Sequence, residues 1–268
     1  MGSFGVCIGI NNYPGTDSDL SGCVNDAKDW QEVLDSRGFK TDVLLDGDAT
    51  WQNMTDAIRE GVQTAEDGDL VVIEYSGHGS YVPDVDGDEP DARDEVLCPH
   101  DIFEQRPLID DQLYEIFSEK RRGARIVLIA DSCHSGSVAK LMPPIGEDGP
   151  RERIRFMPPA AWLDEKKLAK ARSTPAFSTS RRRPNAALLL AGCQDWQTSA
   201  DAYLDGRYNG AFTYYALQAL KEVPDGSTYG DWFKGIRKYL PNQRYDQRPN
   251  LMGSTRMKGW GIFQTASP

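Results

Sequence analysis

The chain has 268 residues, a formal net charge of −11 and a pI near 4.8, with 39% hydrophobic and 26% charged residues. This length and composition are typical of a globular protein whose core needs neither a disulfide nor a structural metal to fold. The acidic charge disfavours general binding to nucleic acids, and no run reaches the ~18 apolar residues of a membrane span.

Short apolar runs predict buried strands along the chain. Most are rich in Val, Ile and Leu at consecutive positions, and they are flanked by Gly, Asp or Asn. Runs without alternation are typical of strands that are covered on both faces, as in a parallel sheet. The predicted strands are residues 5–10, 41–45, 70–75, 125–130 and 186–191.

Helical periodicity lies between these runs. Residues 24–37 place Ala27, Trp30 and Leu34 on one stripe, and Gly38 is a C-terminal stop signal. Because strands and helices alternate, the sequence predicts an α/β three-layer sandwich with a mostly parallel central sheet. The other predicted helices are residues 50–66, 110–122, 211–221 and 231–239.

The alternation is interrupted over residues 137–185. Residues 140–185 contain 11 basic and 5 acidic residues and several prolines, with a weak helical pattern near 161–171. Loops of this size are usually functional or disordered. We therefore predict a larger portion over 1–136, a basic linker over 137–185, and a smaller portion over 186–268 that completes the same domain.

A second stretch carries the opposite charge. Residues 81–111 contain 11 acidic and 2 basic residues. Such a run is usually a solvated face, and a cation site is the alternative. Residues 84–88 begin like an EF-hand loop, but Glu89 stands where that loop requires Gly, which excludes an EF-hand.

The five cysteines are scattered along the chain without a C-x-x-C pair. An odd number at irregular spacings predicts free thiols and a reducing, cytoplasmic compartment. A zinc site is the alternative, although its spacing matches no familiar zinc pattern. Its ligands would be Cys98, His100, Cys133 and His134.

Two predicted strands are followed by residues that carry chemistry. His78 follows the strand over 70–75 between two glycines, and Cys133 follows the strand over 125–130. Ligands bind beyond the carboxyl ends of parallel strands, so both side chains are expected in one crevice if these strands are neighbours. A thiol beside an imidazole is a nucleophile and base pair. The N–H groups of Gly79 and Cys133 would then face a developing oxyanion.

Two alternatives concern the same residues. The cysteine and the histidine could each be buried for structural reasons alone. His134 is a second candidate base, but a residue adjacent to Cys133 in sequence usually points away from it. His78 is therefore the preferred partner of the thiol.

The order of the motifs resembles that of the metacaspases, a family of caspase-like cysteine peptidases, over almost the whole chain. This resemblance implies a caspase-like fold, a His78/Cys133 dyad, protein or peptide substrates, cleavage after Arg or Lys, and a monomer. The motifs are Gly22-Cys23-Val24-Asn25-Asp26-Ala27, Ser76-Gly77-His78-Gly79, Asp131-Ser132-Cys133-His134-Ser135-Gly136, Ala191-Gly192-Cys193-Gln194-Asp195, Gln197-Thr198-Ser199-Ala200 and Gly210-Ala211-Phe212-Thr213.

The resemblance also implies a specificity pocket. Its positions fall on Cys23, Asp26, Ser76 and Asp131. A guanidinium or an ammonium needs carboxylates as partners, so Asp26 and Asp131 are the expected substrate anchors. The alternative is that each Asp has only a local structural role, at a helix start or in a turn.

A Ca²⁺ site is implied by the resemblance as well. Its positions fall on Asp101, Asp110 and Asp111, while a fourth falls on Lys140, a cation that departs from the family pattern. Asp110 and Asp111 also begin a predicted helix, where carboxylates are favourable in any case.

The basic linker holds bonds of the kind that such an enzyme would cut. We hypothesise self-cleavage there, with an uncut flexible linker as the alternative. Two other functional classes remain open, an inactive caspase-like scaffold and a different Cys/His enzyme such as a legumain-like or gingipain-like peptidase. The candidate cleavage residues are Lys170, Arg172, Arg181, Arg182 and Arg183.

Overall fold

The computed structural model describes residues 2–83, 93–104, 107–133, 150–163, 186–194 and 197–266. Its strands, in chain order, are β1 (Ser3–Gly9), β2 (Lys40–Leu45), β3 (Leu70–Ser76), β4 (Gly79–Pro83), β5 (Arg93–Leu97), β6 (Leu108–Ile109), β7 (Arg125–Asp131), β8 (Arg153–Ile154), β9 (Leu188–Ala191), β10 (Ala200–Leu204), β11 (Arg207–Gly210) and β12 (Asn250–Met252).

The described helices alternate with these strands. Two short 3₁₀ turns cover Asp46–Asp48 and Pro159–Ala161. No helix in the described ranges combines the length and the apolar character that crossing a membrane would require. The α-helices are α1 (Cys23–Asp35), α2 (Trp51–Thr64), α3 (Asp110–Ser118), α4 (Ala211–Glu222), α5 (Tyr229–Ile236) and α6 (Thr255–Lys258).

Within the described residues, the central sheet has six strands in the order β12-β9-β7-β3-β1-β2. All neighbours are parallel except β12, which is antiparallel to β9. The register places Ser76 at the end of β3 opposite Asp131 at the end of β7. The mostly parallel sheet predicted from the apolar runs is confirmed, and the segments before His78 and Cys133 are neighbours.

The sheet is covered on both faces, which explains the apolar runs without alternation. Along β1, Val6 and Ile8 pack in the cluster that includes α2 and α3, whereas Cys7 packs with α1, α4 and α5. Every residue of β3 is buried. Two helical layers therefore enclose the sheet, and the predicted α/β/α sandwich is confirmed.

Two small sheets were not predicted from the sequence. One joins β4, β5 and β6, and the other joins β11, β10 and β8. Their strands are short and contain charged residues, so they lack the apolar signal of the central strands. Strands β10 and β11 form a local hairpin through Asp205 and Gly206, whereas β8 joins β10 from a distant part of the chain.

Helix boundaries shift by a few residues from those predicted. Helix α3 ends at Ser118, four residues earlier than the periodicity indicates. Helix α5 begins at Tyr229 because the Thr228 hydroxyl accepts the Asp231 N–H and the Asp231 carboxylate bonds back, a capping box. The weak helical pattern near 161–171 mostly lies outside the described residues.

Trp30 anchors the face of the sheet that α1 covers. Its ring is fully buried and makes edge contacts with Trp232 and Phe263. We expect Trp30→Ala to lower the free energy of unfolding by about 3–5 kcal/mol, because it removes a large buried ring and leaves a cavity. Urea unfolding measures this loss. The exposed neighbour Lys28→Ala is the control, and equal stability of the two variants would contradict the assigned packing.

Candidate active site

The two strand ends meet as the sequence predicted. Cys133 lies two residues beyond β7, and His78 lies two residues beyond β3. The backbones are in direct contact, because a Cβ placed on Gly79 would overlap the carbonyl oxygen of Cys133. A glycine is therefore required where these two segments approach one another.

The imidazole of His78 is oriented by a backbone carbonyl. Its Nε2 lies 2.6 Å from the Ser18 carbonyl oxygen, and its ring centroid lies 4.9 Å from that of Tyr13. A carbonyl oxygen only accepts hydrogen bonds, so this contact assigns the proton to Nε2 and the lone pair to Nδ1. Among the described residues, Nδ1 has no hydrogen-bond partner. The ring is thus held with its basic nitrogen unoccupied.

Burial sets the charge of this imidazole. It lowers the pKa of His78 to about 4, and the Ser18 carbonyl opposes the shift only in part. The ring is therefore neutral at neutral pH. A neutral imidazole with a free Nδ1 has the form that a general base requires.

The thiol of Cys133 is fully buried. Its Sγ accepts the N–H of Ser199 and lies 3.5 Å from the Ser199 carbonyl oxygen. The pKa of the neighbouring Cys193 thiol is raised, first by its contact with the Cys133 side chain and then by burial. In the described part of the chain, no hydrogen bond joins Sγ to Nδ1 of His78.

Three carboxylates beside this pair surround one guanidinium, that of Arg155. Its Nη2 lies 2.6 Å from Asp26 Oδ2 and 3.1 Å from Asp201 Oδ1, and its Nη1 lies 3.2 Å from Asp131 Oδ2. All four side chains have at most 1% of their surface exposed. Sequence reasoning found Asp26 and Asp131 but missed Asp201 and Arg155.

Backbone N–H groups hold the carboxylates in place. The Gly210 N–H donates to Asp26, and the Thr213 N–H donates to Asp131 at 3.0 Å. Asp201 accepts the N–H groups of two residues that precede α1. These bonds make the cluster a preformed pocket for a cation. The two residues before α1 are Ser21 and Gly22.

The pKa values report the same balance of charge. Burial raises the pKa of Asp26 to about 7, and the charge of Arg155 opposes it. Burial alone would lower the pKa of Arg155, but the carboxylates, Asp131 first, raise it well above its ordinary value. The guanidinium is therefore charged, and the pocket is unfavourable without a cation.

The two other predicted pocket residues do not bind the guanidinium. The Ser76 hydroxyl donates to Glu74 Oε1 at 2.6 Å. Cys23 is buried, and burial raises the pKa of its thiol while the charge of Arg155 opposes that shift. Both residues lie close to the cluster, but the cation is held by carboxylates.

The predicted oxyanion donors converge on one point. The N–H of Gly79 and the N–H of Cys133 both donate to the Arg155 carbonyl oxygen, at 3.0 and 3.1 Å. Two backbone donors aimed at one oxygen are the geometry that stabilises a tetrahedral oxyanion. In this structure, the oxygen that accepts both hydrogen bonds is the backbone carbonyl of Arg155 in the same chain.

The predicted Ca²⁺ ligands are not assembled by the residues that the structure describes. Asp101 Oδ1 accepts the Trp51 N–H at 2.7 Å, at the start of α2, and Asp110 and Asp111 begin α3. In the described ranges, no group of three or more His, Cys, Asp or Glu side chains could hold a metal. The zinc alternative includes His134, which lies outside those ranges, so it stays a prediction. Residues 84–88 and Lys140 lie outside those ranges.

The predicted self-cleavage residues also lie outside the described ranges, as does His134. Their role as cleavage sites, and the role of His134 as a second base, stay predictions. The candidate cleavage residues are Lys170, Arg172, Arg181, Arg182 and Arg183.

Comparison with protein families places this site in context. Residues 4–258 match the family model described as the caspase domain of a peptidase family. Metacaspase-1 of Cryptococcus neoformans is 33% identical over 94% of this chain and 62% of its own length. The chain thus spans less than two thirds of that relative.

Solved structures agree with the fold. A Geobacter sulfurreducens protein superposes with a TM-score of 0.78 and 29% identity, with full coverage of both chains. Caspase-1 from Spodoptera frugiperda gives a TM-score of 0.58 at 11% identity, covering 94% of this chain and 86% of its own. The second likeness bears on the fold alone.

The contact of Gly79 with Cys133 predicts a specific cost. In Gly79→Ala, the new methyl group overlaps backbone rather than a flexible side chain, so the two strand ends must separate. We expect a loss of about 1–3 kcal/mol in the free energy of unfolding. The control is Gly61→Ala in α2, whose Cβ would meet nothing closer than 3.4 Å and should stabilise the helix. Urea unfolding of both variants checks this, and an unchanged Gly79→Ala would contradict the contact.

The buried imidazole predicts a pH dependence of stability. The folded pKa of His78 lies below its unfolded value, so the folded state binds fewer protons and stability falls as pH drops from 6.5 towards 4. We expect this group to contribute a loss of about 1.4 kcal/mol between about pH 7.5 and about pH 5.5. Urea unfolding of wild type and His78→Gln at both pH values measures the difference. An identical pH dependence in the variant would contradict the burial of a neutral ring.

Proposed function

This chain belongs to the metacaspases, within the caspase-domain family, and we propose that it is a cysteine endopeptidase that cuts peptide bonds after Arg or Lys. The observation that carries the proposal is the cluster of Asp26, Asp131 and Asp201. Its carboxylates hold a guanidinium whose own carbonyl oxygen lies between the N–H groups of Gly79 and Cys133. A basic side chain and a reacting carbonyl thus have adjoining sites.

The dyad supplies the chemistry in this proposal. His78 Nδ1 takes the proton of the Cys133 thiol, and the sulfur attacks the substrate carbonyl carbon. The N–H groups of Gly79 and Cys133 stabilise the oxyanion that develops. The imidazolium gives its proton to the leaving amine, and a water molecule then hydrolyses the thioester with His78 again acting as base. Ser18 acts as a positioning residue through its carbonyl oxygen, which keeps Nδ1 free for these transfers.

Charge determines the preferred residue before the cut. Three buried carboxylates attract a guanidinium or ammonium and repel an acidic side chain. Arg has a planar fork that bonds to several carboxylate oxygens at once, whereas Lys offers a single charged nitrogen. We therefore expect Arg to be preferred to Lys, and Asp to be excluded. Asp201 is a third anchor in this pocket, beside the two that the sequence predicted.

Ca²⁺ activation, self-processing and a monomeric state complete the proposal as predictions. Among the described residues, no group of carboxylates could hold a metal ion, and no catalytic step is assigned to Ca²⁺. Substrates are proteins or peptides with an accessible Arg or Lys. The inactive scaffold is the alternative that an activity assay decides.

A set of fluorogenic peptides tests the specificity. Peptides with Arg, Lys or Asp before the reporter are assayed with reduced protein, before and after incubation across a Ca²⁺ titration. We expect turnover of Arg and Lys only, and a fall of about 10³-fold or more in Cys133→Ala and His78→Gln. Asp26→Asn should lower kcat/KM for the Arg peptide by about tenfold or more.

The control for Asp26→Asn is Asp35→Asn, an exposed carboxylate at the other end of the same helix. It should leave kcat/KM unchanged. Preference for the Asp peptide would exclude the basic pocket. No turnover of any peptide under any of these conditions would favour the inactive scaffold.

A further inference from the structure

Residues 153–157 lie across the candidate active site as an added strand. Arg153 pairs with Asp201 and Ile154 pairs with Ala200 in an antiparallel register, β8 against β10. Addition of an extended strand to a sheet edge is a common mode of peptide recognition. We call residues 153–157 the groove segment.

The main chain of Arg155 is bound on each side. Its N–H donates to the Ser199 carbonyl oxygen at 3.0 Å, and its own carbonyl oxygen accepts the two N–H groups of Gly79 and Cys133. Beyond it, the Met157 N–H donates to the Gly79 carbonyl oxygen at 2.9 Å. The Arg155–Phe156 peptide bond is therefore held in a fixed position at the edge of the sheet.

This bond lies beside the candidate base. Burial lowers the pKa of His78, and the Arg155 backbone, after that of Ser18, opposes this shift only in part, which places the Arg155 backbone close to the ring. Within the described residues, Nδ1 itself has no hydrogen-bond partner. Arg155 also places its side chain among the three carboxylates. One arginine therefore fills both the basic pocket and the oxyanion position.

A purely structural arginine would explain only half of this arrangement. Burial of a guanidinium requires carboxylate partners, which the cluster supplies. It does not require the carbonyl oxygen of the same residue to accept both predicted oxyanion donors. A substrate with Arg before the cut requires both contacts at once, together with strand pairing on the side that precedes the cut.

We propose that the groove segment is a built-in substrate that blocks the intact enzyme until the Arg155–Phe156 bond is hydrolysed. The proposal rests on the proposed function, because it uses the same pocket and the same dyad. Arg155 belongs to the basic linker over 137–185, where self-cleavage was expected, but it is not one of the candidate residues there.

The cut follows the steps already given. The Cys133 sulfur bonds to the carbonyl carbon of Arg155 while its proton passes to His78, and the C–N bond to Phe156 breaks as the new amine takes that proton. Water then hydrolyses the thioester and restores the thiol. The products are a carboxylate on Arg155 and an amino group on Phe156, and no oxidant or reductant is needed.

Tethering explains the block before the cut. A segment joined to the enzyme competes with an added peptide for the active site at an effective concentration in the millimolar range. The added peptide therefore binds only the small fraction of molecules whose active site is open. The intact segment is anchored on both sides. The Glu152 carboxylate accepts the Tyr203 N–H and the Tyr245 hydroxyl, and the Trp162 ring N–H donates to the Ser80 hydroxyl. Hydrolysis separates these anchors, so each half is held at one end only.

The main test compares initial rates on the fluorogenic Arg peptide. Wild type, Arg155→Gln and Arg155→Lys are assayed while a gel shows the chain to be intact. We expect Arg155→Gln to be faster than intact wild type by about tenfold or more, and Arg155→Lys to lie between them. Arg151→Gln, an exposed arginine just outside the segment, should match wild type. Thermal unfolding of each variant shows that it is folded.

A second test needs no variant at Arg155. Mass spectrometry of incubated wild type should find a new C-terminus at Arg155 and a new N-terminus at Phe156, and neither should appear in Cys133→Ala. Wild type incubated until cut should also cleave a synthetic peptide of residues 151–158 after Arg155. The matched peptide with Arg155→Gln should stay intact at that bond.

The outcomes separate the two proposals. If no protein, cut or uncut, turns over an Arg peptide, the proposed function itself fails. If wild type turns it over but Arg155→Gln is no faster, or the first cut falls elsewhere in the linker, the built-in substrate is overturned and the proposed function stands. If Arg155→Gln does not fold, the position of the first cut and cleavage of the synthetic peptide decide.

Discussion

The burial of one guanidinium among three carboxylates is the interaction on which this site depends. Asp26, Asp131 and Asp201 come from α1, β7 and β10, elements that are distant in the sequence, and Arg155 follows β8. Removal of these charges from water is costly, and mutual pairing with backbone donors offsets that cost. The cluster therefore joins helix α1, the central sheet and the small sheet of β8, β10 and β11 at one point. The pocket that it forms requires a cation.

A second constraint acts on the imidazole. The Ser18 carbonyl oxygen holds Nε2 of His78. Tyr13 packs against the ring, and its hydroxyl accepts the backbone N–H of His78. Because the ring is buried, it stays neutral, and no described residue forms a hydrogen bond with its basic nitrogen. The loop before α1 thus serves both halves of the site, since its backbone also orients Asp201 through Ser21 and Gly22.

The sequence predicted the parts of this structure that depend on local signals. Apolar runs located the central strands, and their ends located His78 and Cys133. It missed β8 because that short strand exists only through pairing with a distant segment, and short polar segments carry little signal of their own. It also missed the hairpin of β10 and β11, although the Asp205-Gly206 turn that joins them is a recognised hairpin signal. Ser18 contributes a backbone carbonyl, which any residue possesses, and Asp201 is one carboxylate in an acidic chain. The family resemblance located Asp26 and Asp131. Arg155, the residue that pairs with them, was found only from the three-dimensional structure.

The path of the chain through the central sheet has a consequence for a cut enzyme. Strand β7 precedes Arg155 and β9 follows it, yet Val127 to Ala130 pair in parallel with Leu188 to Ala191. Trp30 from the first part also packs on Trp232 from the second. Two polypeptides produced by hydrolysis would therefore share one hydrogen-bonded ladder and one apolar core. Such fragments stay associated without a covalent link, so loss of a single bond changes access to the pocket while the catalytic framework persists as a two-chain molecule.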